Sequence, residues 1–331
     1  MTAAAFPCPR YVTHAPVASV AAAWRVMRNL STGGEFCRDM RFAGLHGTTI
    51  RVRCVDGMSL EVHVAGAGRP IVLVHGLGGS HEDWSATAAL MARSACVYRF
   101  DQRGHASRSA CGPGASLQQT ADDVAALIEQ LDLEQPILVG HSLGALTVMQ
   151  YLSDHGSERI GGVCFVDQSP RVTTSDDWAL GVFGSLTAAQ LRNSIERLRG
   201  SCFDTVVDEV LGPVSPRLAA ACRRSRLLER LLRRALSRLD MASIAGVLQS
   251  LVDCDFRSVV HRLGIPALVV LGGCSSHYGG LPLGEYYQRE LGANAVSVYS
   301  GSGHSPHRQE PARFAAELLT FATGACAAAI H

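Results

Sequence analysis

"ILVGHSLGALTVMQYLSDHG", residues 137–156, decides how this sequence is read. Its first part is an apolar run of the kind that lies in a parallel sheet covered on both faces. Its last part has helical spacing and closes on Gly156. Between them stands Gly140-His141-Ser142-Leu143-Gly144, a G-x-S-x-G at a strand-to-helix junction. The glycines have a steric reason. A bend this tight brings backbone so close that side chains two positions either side of the serine collide. The bend strains the serine and lifts its hydroxyl above the sheet. It also sets that hydroxyl at the N-terminus of the next helix, where the dipole favours developing negative charge. The strand before it and the helix after it argue against a chance turn serine, so Ser142 is the candidate nucleophile.

Outward from this junction the chain keeps switching period. Upstream, "TTIRVRCVDG" and "MSLEVHVAG" alternate around Asp56-Gly57 and predict a β-hairpin. "RPIVLVHG", "CVYRFD" and "IGGVCFVD" predict strands, and "HEDWSATAALMARS" and "SLQQTADDVAALIEQLDL" predict helices. Strand and helix alternate as in a mostly parallel α/β sheet flanked by helices. The alternation stops near Pro170. Over residues 171–255 the spacing is helical throughout, and the sheet resumes with "IPALVVLGG" and "NAVSVYSG" before a final helix in "EPARFAAELLTFA". The expected organisation is a core over residues 46–170 and 256–331, with a helical cap over 171–255 inserted between two late strands. The arginine-rich stretch near 223–238 carries leucines at helical intervals. It reads as one amphipathic cap helix with a solvated face rather than as a nucleic-acid stripe.

Composition excludes several classes. The chain has 331 residues, 47% of them apolar, and a formal charge of +1, so no net field points to nucleic acid or to a membrane surface. All 30 basic residues are arginine. The absence of lysine removes a Schiff-base amine and a Walker-type phosphate loop. Eleven scattered cysteines without a C-x-x-C pair read as buried thiols in a reducing compartment, and a cytoplasmic location is expected. No apolar run reaches the roughly 18 residues of a transmembrane helix. Residues 1–45, with no acid before Glu35, read as an N-terminal extension of unassigned role, targeting segment included.

Two further segments carry chemistry. His75-Gly76-Leu77-Gly78-Gly79 ends an earlier strand, and its glycines let backbone approach a ligand. The amides of Leu77 and Leu143 are placed to meet one oxyanion. A dinucleotide loop is not completed here, because position 81 is histidine. His304, in "GSGHSPHRQEP", lies on a loop that reaches over the Ser142 bend, where it serves as the base. Two imidazoles, His304 and His307, on one loop without a carboxylate partner are weak evidence for zinc, and neither a metal nor a cofactor is expected.

The motifs "LVHGLGGSHEDW", "YRFDQRGHASRS", "LVGHSLGA", "DFRSVVHRLGIPALVVLG" and "GSGHSPHRQEPARF" together resemble the α/β-hydrolase superfamily over residues 46–325. The resemblance is to its capped esterases and cofactor-free haloperoxidase-like enzymes. It implies an α/β-hydrolase fold, Ser142 as nucleophile, His304 as base, and Leu77 and Leu143 as oxyanion donors. A serine at the bend, rather than an aspartate, argues against the dehalogenases and epoxide hydrolases of the same fold. The expected activity is cleavage of a small-molecule carboxylic ester, lactone or thioester through an acyl-enzyme.

The sequence departs from the family pattern at the acid. Most relatives carry it where this chain has Ser275, which cannot bear the charge that steadies an imidazolium. Asp167, in "VCFVDQSP", stands at the tip of the preceding strand. Neighbouring strands lie about 5 Å apart, within reach of a histidine on a loop, and some superfamily members use that strand. Asp167 is therefore the expected third member. Asp255 reads as a brace at the cap junction, and Glu285 is a distant third. Asp101 and Arg103 read as structural, His105 as a pocket residue, and His141 and Trp84 as pocket or packing residues. The vacant acid position at Ser275 leaves an alternative: a non-catalytic binding or scaffold protein with a decayed triad.

Overall fold

The computed structural model describes residues 47–105, 115–199, 216–236, 239–278 and 281–328. The N-terminal extension expected over residues 1–45 lies outside them. The strands are β1 (Thr48–Arg53), β2 (Ser59–Ala65), β3 (Arg69–Val74), β4 (Ala95–Phe100), β5 (Ile137–His141), β6 (Gly162–Val166), β7 (Ala267–Gly272) and β8 (Val296–Tyr299). They form one sheet in the order β1-β2-β4-β3-β5-β6-β7-β8. The first hairpin is antiparallel, as is β2 on β4. From β4 to β8 all pairings are parallel.

The apolar runs divide between the faces by the two-residue period of a strand. Val72, Leu138, Val163, Phe165 and Leu271 enter one core, while Ile71, Val139, Cys164, Val166 and Val270 enter the other. The first core is closed by α2 (Leu117–Gln130) and α3 (Leu143–His155), the second by α1 (Ser85–Met91) and the C-terminal α11 (Pro311–Ala328). Between β6 and β7 the chain forms α4 (Ala188–Arg199), α5 (Pro216–Arg224), α6 (Arg226–Leu236), α7 (Met241–Leu251) and the short α8 (Arg257–His261). The arginine-rich stretch is thus two helices, not one. Ser225 breaks it, and its hydroxyl accepts from the Leu228 amide at 3.4 Å, as a serine at a helix start does. The remaining helices are α9 (Leu281–Leu291) and α10 (Pro306–Gln309).

The chain passes from β3 outward to β4, then returns across β3 to β5. Ligand crevices form where strand order reverses in this way, outside the carboxyl ends of the strands.

Arg103 ties this side of the sheet together. It is buried; its Nε and Nη2 donate to Asp123 on α2 at 2.7 and 2.6 Å, and its Nη1 donates to Asp56 in the hairpin turn at 2.6 Å. Arg103→Met leaves the buried Asp123 carboxylate without its partner. We expect a loss of about 3–5 kcal/mol in urea unfolding. A loss under about 1 kcal/mol would show that water reaches Asp123 and that this contact is not structural.

Candidate active site

Ser142 follows β5 and starts α3 with φ 51° and ψ −119°. A non-glycine residue held there costs on the order of 1–3 kcal/mol. Both glycines of the bend are required by contact. A Cβ on Gly140 would run into the Gly144 carbonyl and the Ala145 amide, and a Cβ on Gly144 into the carbonyls of Val74 and His75. The sheet register then sets the neighbouring tips. The Ser142 amide donates to Val166 at 3.0 Å, and the Asp167 amide donates to Val270 at 2.8 Å. Asp167 also sits at positive φ, 48°, so two of the expected residues lie on strained strand ends.

Ser142, His304 and Asp167 meet. His304 Nε2 lies 2.9 Å from Ser142 Oγ, and His304 Nδ1 lies 2.7 Å from Asp167 Oδ2. The carboxylate fixes the tautomer: Nδ1–H donates to Asp167, and Nε2 is left to accept from the hydroxyl. Asp167 is fully buried. Its Oδ1 accepts from the Gly272 amide at 2.8 Å and its Oδ2 from the Ser275 hydroxyl at 2.6 Å. Burial pushes the Asp167 carboxyl up from the usual carboxylate range, and the Ser275 and Gly272 donors oppose it. Burial pulls the His304 imidazole down to about 4, which keeps it neutral and able to take a proton.

His304 is held on both sides. Its carbonyl accepts from His141 Nε2–H at 2.7 Å, and its ring stacks on His277 with centroids 3.7 Å apart and planes 18° apart. Gly272 lets the two loops close, because a Cβ there would strike the Gly303 carbonyl.

Leu77 and Leu143 border the same cavity as Ser142 and His304. Among the described residues neither amide has a protein hydrogen-bond partner. Leu143 opens α3, where amides have no intrahelical acceptor. The loop carrying Leu77 is tethered from below. His75 Nε2 accepts from the Gln102 amide at 2.9 Å, Gln102 Nε2 donates to the His75 carbonyl at 2.6 Å, and Thr147 donates to Gln102 at 2.8 Å. The cavity has a volume of about 630 Å³ and a largely apolar wall that includes Leu143, Leu146, Val172, Leu186, Leu248 and Leu251.

The other candidates fall elsewhere. Asp255 receives Arg257 at 2.6 Å and stands 3.7 Å from Arg171, a brace at the junction between the inserted helices and the sheet. Glu285 is exposed on α9. His105 is not a pocket residue. It is buried behind the site, edge-on to His75 at 4.9 Å, because the tether through Gln102 draws its turn inward. Trp84 is core packing, with His307 over it at 4.1 Å. The His307 ring also packs on His141 at 4.5 Å, and among the described residues no cluster is spaced to hold a metal ion. Sequence reasoning placed His141 as a pocket or packing residue but missed the parts played by Ser275 and His277. Only Ser275 left a trace, as a small hydroxyl in the place of an acid.

The profile of the alpha/beta hydrolase family matches residues 71–317. The chain belongs to this family. Among individual α/β hydrolases, it is 26% identical over 271 residues to the pimeloyl-[acyl-carrier protein] methyl ester esterase of Vibrio atlanticus, covering 80% of this chain and 98% of that protein. It is 33% identical over 120 residues to a non-heme haloperoxidase of Rhodococcus erythropolis, a match that spans 36% of this chain and only 44% of that relative. The solved esterase EaEST from Exiguobacterium antarcticum superposes with a TM-score of 0.68 at 18% identity, over 83% of this chain and 100% of that one, a likeness of fold. An ester hydrolase fits this set of α/β-hydrolase relatives. Among the described residues no helix is long and apolar enough to cross a membrane.

Proposed function

We propose that this α/β hydrolase is a serine hydrolase that cleaves a carboxylic ester, or the related lactone or thioester, through an acyl-enzyme. The observation that carries the reading is the unbroken hydrogen-bond chain from Asp167 through His304 to Ser142, opening into the apolar cavity. Ser142 Oγ attacks the carbonyl carbon while His304 Nε2 takes the hydroxyl proton. The Asp167 carboxylate steadies the imidazolium, and the amides of Leu77 and Leu143 hold the oxyanion. Collapse of the tetrahedral adduct breaks the bond to the leaving group, which takes the proton from His304. Water, deprotonated by the same imidazole, then attacks the acyl carbon, and Ser142 leaves with its proton restored. The helices between β6 and β7 act as a cap that selects the substrate, and the apolar wall favours an ester with an apolar acyl or alcohol portion. Among the described residues Cys54, Cys96, Cys164, Cys254 and Cys274 are free thiols, which fits the cytoplasm.

The non-catalytic alternative drew its support from the vacant acid position at Ser275. Asp167, 2.7 Å from His304, favours catalysis over that alternative. The test is a fluorophosphonate probe with peptide mapping, run beside p-nitrophenyl esters of increasing acyl length. Labelling at Ser142 together with ester turnover is expected. An unlabelled serine would end the proposal and favour a binding protein.

A further inference from the structure

We infer that the turn after β7 is the positioning element of this site: Ser275 aims Asp167 and His277 aims His304. The inference rests on the catalytic reading above and goes one step further, since neither residue is needed to write the reaction.

The Ser275 hydroxyl donates to Oδ2 of Asp167 at 2.6 Å, the same oxygen that receives His304 Nδ1 at 2.7 Å. With the Gly272 amide on Oδ1 at 2.8 Å, the carboxylate has its plane and rotation fixed by two donors, Gly272 and Ser275, on one turn. Two residues on, His277 lays its ring against His304 at 3.7 Å. The turn is itself pinned. The His277 amide donates to Ser275 Oγ at 3.3 Å, the His277 carbonyl accepts from the Phe183 amide at 2.7 Å, and the Cys274 amide donates to the Ser302 carbonyl at 2.9 Å. Phe183 reaches this contact from a left-handed conformation, φ 58°, which a bulky residue adopts only under constraint. The segment where relatives would carry an acid has thus become a clamp with one contact for each of two site residues.

Both contacts act on the protonation of His304, by different means. Ser275 shares the charge of Oδ2 with His304. Without that donor the carboxylate draws the resting imidazole toward its charged form, and, no longer held from two sides, it turns out of line with Nδ1 when the proton is transferred, which lowers kcat. His277 presents the face of a ring that burial holds neutral, its imidazole pulled down to about 3. A neutral ring face attracts the cation that forms when His304 takes the serine proton. The groups facing His304 are Asp167, Ser142, His141, His277 and Tyr278. Those acting on His277 are His304, Tyr278, Phe183, the Ser276 hydroxyl and the charge of Asp167.

The test uses the full chain with variants Ser275→Ala, Ser275→Thr, His277→Ala and His277→Phe, read by kcat, KM and pH profile on one p-nitrophenyl ester and by the rate of fluorophosphonate labelling. Ser275→Ala should lower kcat by about 10- to 100-fold, the size of one hydrogen bond to a charged group. KM should stay within about twofold, and the acid limb of kcat/KM should move to higher pH. Ser275→Thr keeps the hydroxyl and should restore both. His277→Ala should cost about tenfold in kcat, and His277→Phe, which stacks but cannot titrate, should recover most of it. Parent-level kcat in both alanine variants overturns the inference. So does a loss that neither conservative variant repairs and that leaves the acid limb unmoved, which is mere loosening. If His277→Ala does not fold, Ser275→Ala, which deletes one oxygen, still decides the matter. A parent chain that does not label at Ser142 sinks the catalytic reading, and this inference with it.

Discussion

Ser142→Ala is expected to remove about 10⁵- to 10⁶-fold of kcat on a p-nitrophenyl ester, leaving KM close to the parent value. The loss has a definite origin. Without Oγ no covalent intermediate forms, and His304 Nε2, 2.9 Å away in the parent, has no proton to take. What survives is the geometry of the two amides and the cavity, which still favour attack by water over the uncatalysed rate. Binding should be nearly untouched, because the apolar wall is contributed by other side chains. The fold should also persist. Alanine meets the same backbone demand at φ 51° that serine already meets, so the thermal midpoint should move by only a few degrees. A variant that folds like the parent and turns over within tenfold of it would mean that Ser142 is not the nucleophile.

Asp167→Asn is expected to cost about 10⁴ in kcat, or roughly 5.5 kcal/mol of transition-state stabilisation. The contacts explain why an isosteric change is so damaging. Every neighbour donates to this carboxylate: Gly272 to Oδ1, and both Ser275 and His304 to Oδ2. An amide has one oxygen and one NH₂. If the NH₂ faces Gly272, two donors oppose each other in a fully buried place. If it faces His304, the imidazole keeps its contact only by exposing Nδ1 as acceptor. The proton then moves to Nε2, which can no longer accept from Ser142. Either arrangement also removes the negative charge that offsets the imidazolium. Full activity in Asp167→Asn would put the acid elsewhere. Neither Asp255, engaged by Arg257, nor the exposed Glu285 is placed to serve.

The bend at Ser142 was legible because it is local. Two glycines, an apolar strand and a helix are all written within twenty consecutive positions, and the collisions at Gly140 and Gly144 bear out the steric reasoning. The alternation of strands and helices was legible for the same reason, through its period. The acid was harder. Asp167 meets His304 only because β6 lies between β5 and β7 in a register that brings Val166 level with Val270, and pairing of remote strands leaves no mark in local periodicity. Ser275 was legible only as a missing acid, and His277 was out of reach altogether. A hydrogen bond and a ring stack depend on how one turn folds back, and serine and histidine are ordinary turn residues. The break at Ser225 was missed because arginines flank it on both sides, while only a serine side chain turned back on the helix start records the interruption.

His304, the proposed base, stands 162 residues after Ser142, the proposed nucleophile, on the loop beyond the eighth strand. A chain still leaving the ribosome holds the hydroxyl and the carboxylate well before it holds the imidazole that couples them. On the proposed mechanism, hydrolysis is expected only once the segment carrying His304 has been made and has joined the sheet.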